Sequence, residues 1–136
     1  MSIRLMILLV VLVISSIQTF AQTKSCEKVY QTVDINPTYD GGTKALLSYS
    51  TKYLSPILSK YHKKDEELTA KLTMTLIIDA DGKVIDAVLS KHKLPKACED
   101  EIIKQLLTMT GWTPGSLNGQ NVCSRYTWFI SCIKWS

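Results

Sequence analysis

Two neighbouring stretches in the middle of the chain have the patterns expected of paired β-strands. In residues 68–79 every second side chain is apolar, and the intervening ones are threonine, lysine and one isoleucine up to the closing Asp79. Residues 83–90 follow as the return strand, and Asp81-Gly82 between them is a typical hairpin turn. We therefore predict an antiparallel hairpin with one face on a core and the other largely in water.

Apolar residues at helical spacing flank this hairpin on both sides. A first helix is predicted for residues 43–54, with Pro56 interrupting it and residues 57–61 adding one more turn. A second helix is predicted to begin at residues 99–101, where three carboxylates interact favourably with the unpaired N–H groups of a first helical turn. It stops at Gly111. The two apolar stripes are Ala45, Leu46, Tyr49, Tyr53 and Leu54, and Ile102, Ile103, Leu106, Leu107 and Met109.

The carboxy-terminal stretch returns to the period of a strand. Asn118-Gly119 indicates a turn, and residues 122–131 then alternate between two faces. Trp128 shares its face with Tyr126, so we expect it inside the protein. Phe129 lies on the opposite face and is expected to be exposed.

The order of these elements is helix, strand, hairpin, strand, helix, strand, which indicates an α+β fold. A right-handed crossover through the second helix would place the last strand parallel to residues 83–90 and beside residues 68–79. The last strand then lies at an edge of a three-stranded sheet.

The first 21 residues are predicted to be a secretory signal peptide. One arginine precedes a continuous apolar run over residues 5–14, and Thr19-Phe20-Ala21 has the small-residue pattern of a cleavage site. The chain then divides into a signal peptide (1–21), a lead-in (22–29) and one domain (30–134) of an exported, periplasmic protein. The alternative is an uncleaved inner-membrane anchor over residues 3–17, although a spanning helix needs roughly 20 apolar residues.

The four cysteines, Cys26, Cys98, Cys123 and Cys132, suggest disulfides in an exported domain. Cys123 and Cys132 share one predicted strand, where they are too far apart to bond each other unless the strand breaks. The open pairings are Cys98–Cys132 with Cys26–Cys123, and Cys26–Cys132 with Cys98–Cys123. The first is favoured because the second helix, running antiparallel to the last strand, would start near that strand's end. Unpaired thiols are the remaining alternative.

No catalytic, metal-binding or cofactor-binding pattern is recognised. His62 and His92 lie next to lysines and are interpreted as surface residues, and no serine lies in a Gly-x-Ser-x-Gly sequence. The Asp79-to-Gly82 turn lacks the later ligands of a calcium loop. The formal net charge is only +4, and the lysine runs at 60–64 and 91–96 lack interleaved aromatics. We expect no enzyme, no cofactor, no metal and no nucleic-acid partner.

Several short motifs resemble, in order and spacing, those of the carboxy-terminal domain of the TonB energy transducers. They are Pro37-Thr-Tyr39-Asp-Gly-Gly42 before Ala45-Leu46, the hairpin Ile78-Asp-Ala-Asp-Gly-Lys-Val84, then Met109, Trp112, Pro114, Gly115, Asn118, Gly119 and Val122, and finally Arg125-Tyr126-Thr127. The resemblance covers about residues 30–134. Asp40 replaces a proline of the family, and the family's proline in the last strand is absent.

This resemblance implies a two-layer domain that recognises a peptide. Members of the family hold an amino-terminal box peptide of an outer-membrane transporter, which adds as a strand to the edge of the last strand. Such an edge offers unpaired N–H and C=O groups that an extended peptide satisfies. On this chain the docking edge would consist of Val122, Cys123, Ser124, Arg125, Tyr126, Thr127, Trp128, Phe129 and Ile130, with Arg125 and Phe129 as side-chain contacts.

The expected partner is therefore an extended segment of an outer-membrane transporter or of another periplasmic protein. Full transducers also have a membrane helix and a long proline-rich spacer. Here about eight residues separate Ala21 from Tyr30, a reach of roughly 30 Å when extended, so force transduction is not expected. One alternative is a disulfide-stapled structural domain that forms a homodimer through its edge strand, and another is an exported enzyme on the same scaffold.

Overall fold

The computed structural model describes residues 26–63, 71–90 and 92–130. The predicted signal peptide at residues 1–21, the start of the lead-in, residues 68–70 of the predicted strand and Cys132 lie outside these ranges. Within them, no helix combines the length and the apolar character needed to cross a membrane.

The described residues confirm a mixed α+β protein. The main sheet has the strand order β3–β2–β7, and two small sheets, β1–β4 and β5–β6, accompany it. In chain order the elements are β1 (Thr38–Tyr39), α1 (Gly42–Tyr49), a π-helical turn (Ser50–Leu54), α2 (Ser55–Lys60), β2 (Leu72–Ile78), β3 (Val84–Ser90), α3 (Lys96–Leu106), β4 (Trp112–Thr113), β5 (Gly115–Leu117), β6 (Gln120–Val122) and β7 (Ser124–Ile130).

The predicted central hairpin is confirmed, with one irregularity. β2 and β3 are antiparallel, and the register shifts after Ile77 so that Ile85 is the extra residue of a β-bulge. Gly82 closes the turn with a φ of 83°, a conformation that glycine adopts without steric cost. The Asp79 carboxylate accepts the N–H groups of Asp81 and Lys83, each at 2.9 Å. Asp79 therefore stabilises the turn itself.

One helical run extends from Gly42 to Lys60, which corrects the predicted interruption at Pro56. Pro56 has no N–H to donate to the carbonyl of Lys52, four residues earlier. The chain passes this point as a π turn, in which the Ser55 N–H donates to the carbonyl of Ser50, five residues earlier. Pro56 thus directly follows a wider helical turn and does not end the helix.

The second helix, α3, begins at Lys96, before the acidic residues that were predicted to start it. All three of those carboxylates lie within ion-pair distance of a lysine. The Lys96 ammonium lies 2.8 Å from an Asp100 oxygen. The Glu101 carboxylate accepts hydrogen bonds from Lys60 Nζ at 2.6 Å and Tyr61 Oη at 2.7 Å. Glu101 therefore connects α3 to the end of α2.

The helices and the main sheet bury their apolar sides against each other. Burial of each large apolar side chain contributes about 1.5–3 kcal/mol. Trp128 is 8% exposed and Phe129 is 68% exposed, as predicted from the alternation in the last strand. The fully buried large side chains include Leu54, Leu58, Leu72, Met74, Leu76, Ile78, Val84, Ile102 and Leu106.

The last strand lies where the crossover rule places it. β7 pairs antiparallel with β2, from Ile78↔Ser124 to Leu72↔Ile130. Because β3 also pairs antiparallel with β2, β7 is parallel to β3 and occupies one edge of the main sheet.

The predicted single strand over residues 122–131 is divided at Cys123. Val122 belongs to β6 and pairs with Gly115 of β5. The hairpin between β5 and β6 turns at Asn118 and Gly119, whose φ angles are 51° and 76°. Two successive left-handed residues are what a type I′ hairpin turn requires, so the predicted turn is confirmed.

Two of the four cysteines form a disulfide, Cys26–Cys123, with Cα atoms 5.9 Å apart. This bond of the favoured pairing is confirmed. Cys98 is a free thiol with no exposed surface, on the face of α3 that also buries Ile102 in the core. Its predicted partner, Cys132, lies outside the described residues.

Candidate functional site

The outer flank of β7 is partly occupied by Tyr30, the residue that directly follows the lead-in. The Tyr30 N–H donates to the Cys123 carbonyl at 2.9 Å, and the Arg125 N–H donates to the Tyr30 carbonyl at 3.2 Å. This short parallel bridge lies next to the Cys26–Cys123 disulfide, which holds the lead-in in place. The first residues of β7 are therefore covered on both flanks.

Further along β7, main-chain groups point away from the sheet. In an antiparallel pair the N–H and C=O of one residue point to the same side, and the next residue points to the other side. The Arg125 N–H points away from β2, because it bonds to Tyr30. Thr127 and Phe129 therefore also direct their N–H and C=O groups outward. Among the described residues, neither has a main-chain partner on that side.

The nine residues of the predicted docking edge thus fall into two groups. Val122 pairs with Gly115, Cys123 is bonded to Cys26 and to Tyr30, and Ser124 is only 1% exposed. The remaining residues, Arg125, Tyr126, Thr127, Trp128, Phe129 and Ile130, make up the open part of the strand. We call this stretch, Arg125–Ile130, the open edge.

The open edge has side chains of different character on its two faces. Arg125 lies across from Ile77, and Phe129 lies across from Thr73, on the face away from the helices. On the helix side, the ring of Trp128 lies 6.4 Å from that of Tyr49. An added strand would place its side chains next to both sets, and such cross-strand pairs contribute about 0.2–1 kcal/mol each.

A second feature is an open cleft of about 490 Å³ between the β1 turn and the first helical run. Residues of the turn form one wall, and successive turns of the helical run form the other. We call it the tyrosine cleft; its lining consists of Tyr39, Asp40, Gly41, Lys44, Ala45, Ser48, Tyr49, Lys52 and Tyr53.

Three tyrosine rings dominate this cleft. The Tyr39 and Tyr49 rings meet edge to face at 6.4 Å, and the Tyr49 and Tyr53 rings lie 4.7 Å apart. Burial raises the pKa of Tyr39, and the neighbouring Tyr49, Tyr53 and Asp40 raise it further. A tyrosine hydroxyl is protonated at neutral pH even at its ordinary pKa of about 10, so Tyr39 can donate a hydrogen bond, and the raised pKa keeps the proton in more alkaline solution as well.

The sequence pattern does not predict the tyrosine cleft, because its walls come from separate elements. Tyr49 and Tyr53 appeared only as members of an apolar stripe. A sequence signal was nevertheless present. Lys44, Ser48 and Lys52 recur every four residues, which is the spacing of one helical face.

The prediction for the two histidines is half right. His62 is exposed. The His92 side chain is only 13% exposed, which corrects its interpretation as a surface residue. Its Nδ1 accepts the Leu94 N–H at 3.1 Å, and its Nε2 lies 3.7 Å from Glu99, so it helps to form the loop before α3.

Neither the open edge nor the tyrosine cleft contains a cluster of metal ligands, and no group of three or more His, Cys, Asp or Glu side chains suited to a metal ion occurs anywhere in the described ranges. The groups that the two features do offer are main-chain donors and acceptors, aromatic rings and ammonium groups. No protein-family model, no curated protein and no solved structure matches this chain.

Proposed function

We propose that this protein is an exported, periplasmic binding module of the TonB carboxy-terminal type, which takes up an extended peptide as an extra strand beside β7. The observation that carries the proposal is the outward direction of the main-chain groups of Thr127 and Phe129 on an edge strand. The ordered series of family-like motifs along the chain supports it. The partner is an extended segment of an outer-membrane transporter or of another periplasmic protein.

Strand addition uses the open edge in a defined way. Main-chain hydrogen bonds to Thr127 and Phe129 supply affinity, at about 0.5–1.5 kcal/mol net for each bond. Side chains of the guest that point away from the helices meet Arg125 and Phe129, and these contacts supply selectivity. The guest strand ends at Arg125, because Tyr30 already occupies the position before it.

The test is a titration of the isotope-labelled protein with a transporter box peptide, followed by NMR. We expect shifts at the amides of Thr127 and Phe129, with smaller ones in β3, which lies beyond β2. Thr127→Pro removes one outward N–H and leaves the β2 ladder in place, because edge strands tolerate proline where the N–H faces solvent. It should weaken binding about tenfold, which is the loss of one hydrogen bond at the upper end of its range.

Thr127→Val is the matched control, because it changes the side chain and keeps the N–H. Equal affinity of both variants would contradict strand addition, and so would the absence of shifts along β7 at saturating peptide concentration.

A second candidate is a homodimer in which two copies of β7 pair edge to edge. Phe129 favours it, because it is 68% exposed beside main-chain groups that have no outward partner among the described residues, and edge-to-edge pairing would cover both. Light scattering over a range of protein concentrations distinguishes the two functions. A rise in mass, together with loss of amide exchange at Thr127, would support the dimer, whereas a constant monomer mass would contradict it.

A further inference from the structure

The tyrosine cleft has an excess of positive charge. Lys44 and Lys52 line it, and Asp40 is the one carboxylate among its lining residues. Among the described residues neither lysine lies within ion-pair distance of a carboxylate, whereas Lys60 and Lys96 both do. Within the described part of the chain, no carboxylate therefore competes with a partner for these two ammonium groups.

The start of α1 adds to this positive character. Gly41 is its N-cap, with a φ of 82° and no side chain to accept a hydrogen bond from the first turn, and that turn contains no acidic residue. Unpaired N–H groups at a helix start carry partial positive charge. Gly41 lines the cleft, so these groups lie at one end of it.

The other end of the cleft is formed by the π turn. Lys52 and Tyr53 both belong to it, and the Lys52 ammonium lies 5.0 Å from the centre of the Tyr53 ring. Tyr53 is 39% exposed, so part of its ring faces solvent. π turns inside helices often occur at functional sites, because they displace the side chains of one turn.

The cleft is continuous with the open edge through aromatic contacts. The Tyr49 ring contacts Tyr53 on one side, and on the other it lies 6.4 Å from the Trp128 ring of β7. A peptide beside β7 directs every second side chain toward this helix side of the sheet. Guest side chains on this face therefore point toward the side of the sheet on which Tyr49, a lining residue of the cleft, also lies.

We propose that the tyrosine cleft binds the acidic part of the guest peptide, a segment in which a carboxylate side chain lies next to an apolar or aromatic residue. The carboxylate pairs with Lys44 and Lys52, and the apolar neighbour packs on Tyr49 and Tyr53. The position of the guest in this proposal rests on the proposed function. The chemistry of the bound segment rests on the charge of the cleft.

The test compares two synthetic peptides with the same strand-forming sequence. One continues with Glu-Phe-Glu and the other with Gln-Phe-Gln. NMR titration reports on both places at once, through the amides of Thr127 and Phe129 at the edge and of Gly41 and Gly42 at the cleft. We expect the Glu peptide to bind about three- to tenfold more tightly at low salt, as expected for two exposed ion pairs, and to shift Gly41 and Gly42.

The double variant Lys44→Ala/Lys52→Ala should abolish the difference between the two peptides and leave the shifts at Thr127 unchanged. Lys83→Ala/Lys93→Ala is the matched control, because it removes two exposed lysines that do not line the cleft. It should keep the preference for the Glu peptide. Salt at about 1 M should also remove the preference, since the Debye length then falls to about 3 Å.

The outcomes separate this proposal from the proposed function. Equal shifts at the edge from both peptides, with none at Gly41 and Gly42, would overturn the acidic site and leave strand addition intact. Shifts at the cleft without any at Thr127 and Phe129 would overturn strand addition and the placement of the guest with it. A preference for the Glu peptide that persists in Lys44→Ala/Lys52→Ala would overturn the assignment of the charge to these lysines.

Discussion

Burial decides what Cys98 can do. It has no exposed surface, and burial raises the pKa of its thiol above the usual value, with the Glu101 carboxylate acting in the same direction. Reactive cysteines are partly exposed and have a lowered pKa, so Cys98 has the opposite properties. It is an apolar component of the core.

A pair of substitutions tests this role. Cys98→Ala should lower the free energy of unfolding by about 1 kcal/mol, through the loss of packing. Cys98→Ser should cost a further 1–3 kcal/mol or so, because a hydroxyl without a partner is placed in an apolar site. Urea unfolding measures both, and equal stability of the two variants would show that the site is polar. In the native protein, alkylation followed by mass mapping should leave Cys98 unmodified.

Single residues also differ in how well the sequence predicts them. The burial of Trp128 and the exposure of Phe129 follow from alternation along one strand, which is a local property. The role of Glu101 cannot be predicted from a local pattern. Its partners Lys60 and Tyr61 lie about forty residues away, and only the packing of two helices brings them together.

At the scale of elements, the contact between α2 and α3 depends on pH. Hydrogen bonds from Lys60 and then from Tyr61 lower the pKa of Glu101. A carboxylate with a folded-state pKa below its unfolded value stabilises the folded state above the unfolded pKa. That contribution is lost as the pH falls through the folded-state pKa.

We therefore expect Glu101→Gln to unfold at a lower urea concentration than the natural protein at pH 7. The difference should shrink as the pH falls through the lowered folded-state pKa of Glu101, because the natural carboxylate is then protonated as well. Asp100→Asn is the matched control. Its pair with Lys96 lies within α3, so it should have a smaller effect at pH 7. A Glu101→Gln effect that is independent of pH would contradict this account.

At the scale of the whole molecule, one disulfide closes most of the described chain into a loop. Cys26 and Cys123 are 97 residues apart in sequence, and the bond holds the lead-in against the start of β7. It therefore affects stability and also sets where the open edge begins. Removing it frees Tyr30 and lengthens that edge.

Cys26→Ser/Cys123→Ser should lose about 4–5 kcal/mol in the free energy of unfolding, the value that the loop-entropy model gives for a loop of this length. Urea unfolding with and without reductant measures the loss. Hydrogen exchange at the Arg125 amide should become faster, because its bond to the Tyr30 carbonyl is released. Unchanged exchange at Arg125 would show that the bridge holds without the disulfide.

The sequence by itself determined the elements with a regular period, because hydrophobic alternation and turn residues act on neighbouring positions. The central hairpin, the two helical regions, the Asn118-Gly119 turn and the position of the last strand at an edge all follow from such local patterns and from the crossover rule. The continuation of the helix past Pro56 does not follow from local patterns, because a π turn depends on which carbonyl finds an N–H donor.

Only the tertiary structure decided that Cys26 pairs with Cys123, where the open edge begins and that a tyrosine cleft exists. Each of these features joins separate segments of the chain: Cys26 with Cys123, Tyr30 with Arg125, and Tyr39 with Tyr49 and Tyr53. Their positions depend on how the packed core brings the segments together, and the pattern along any one segment does not contain that information.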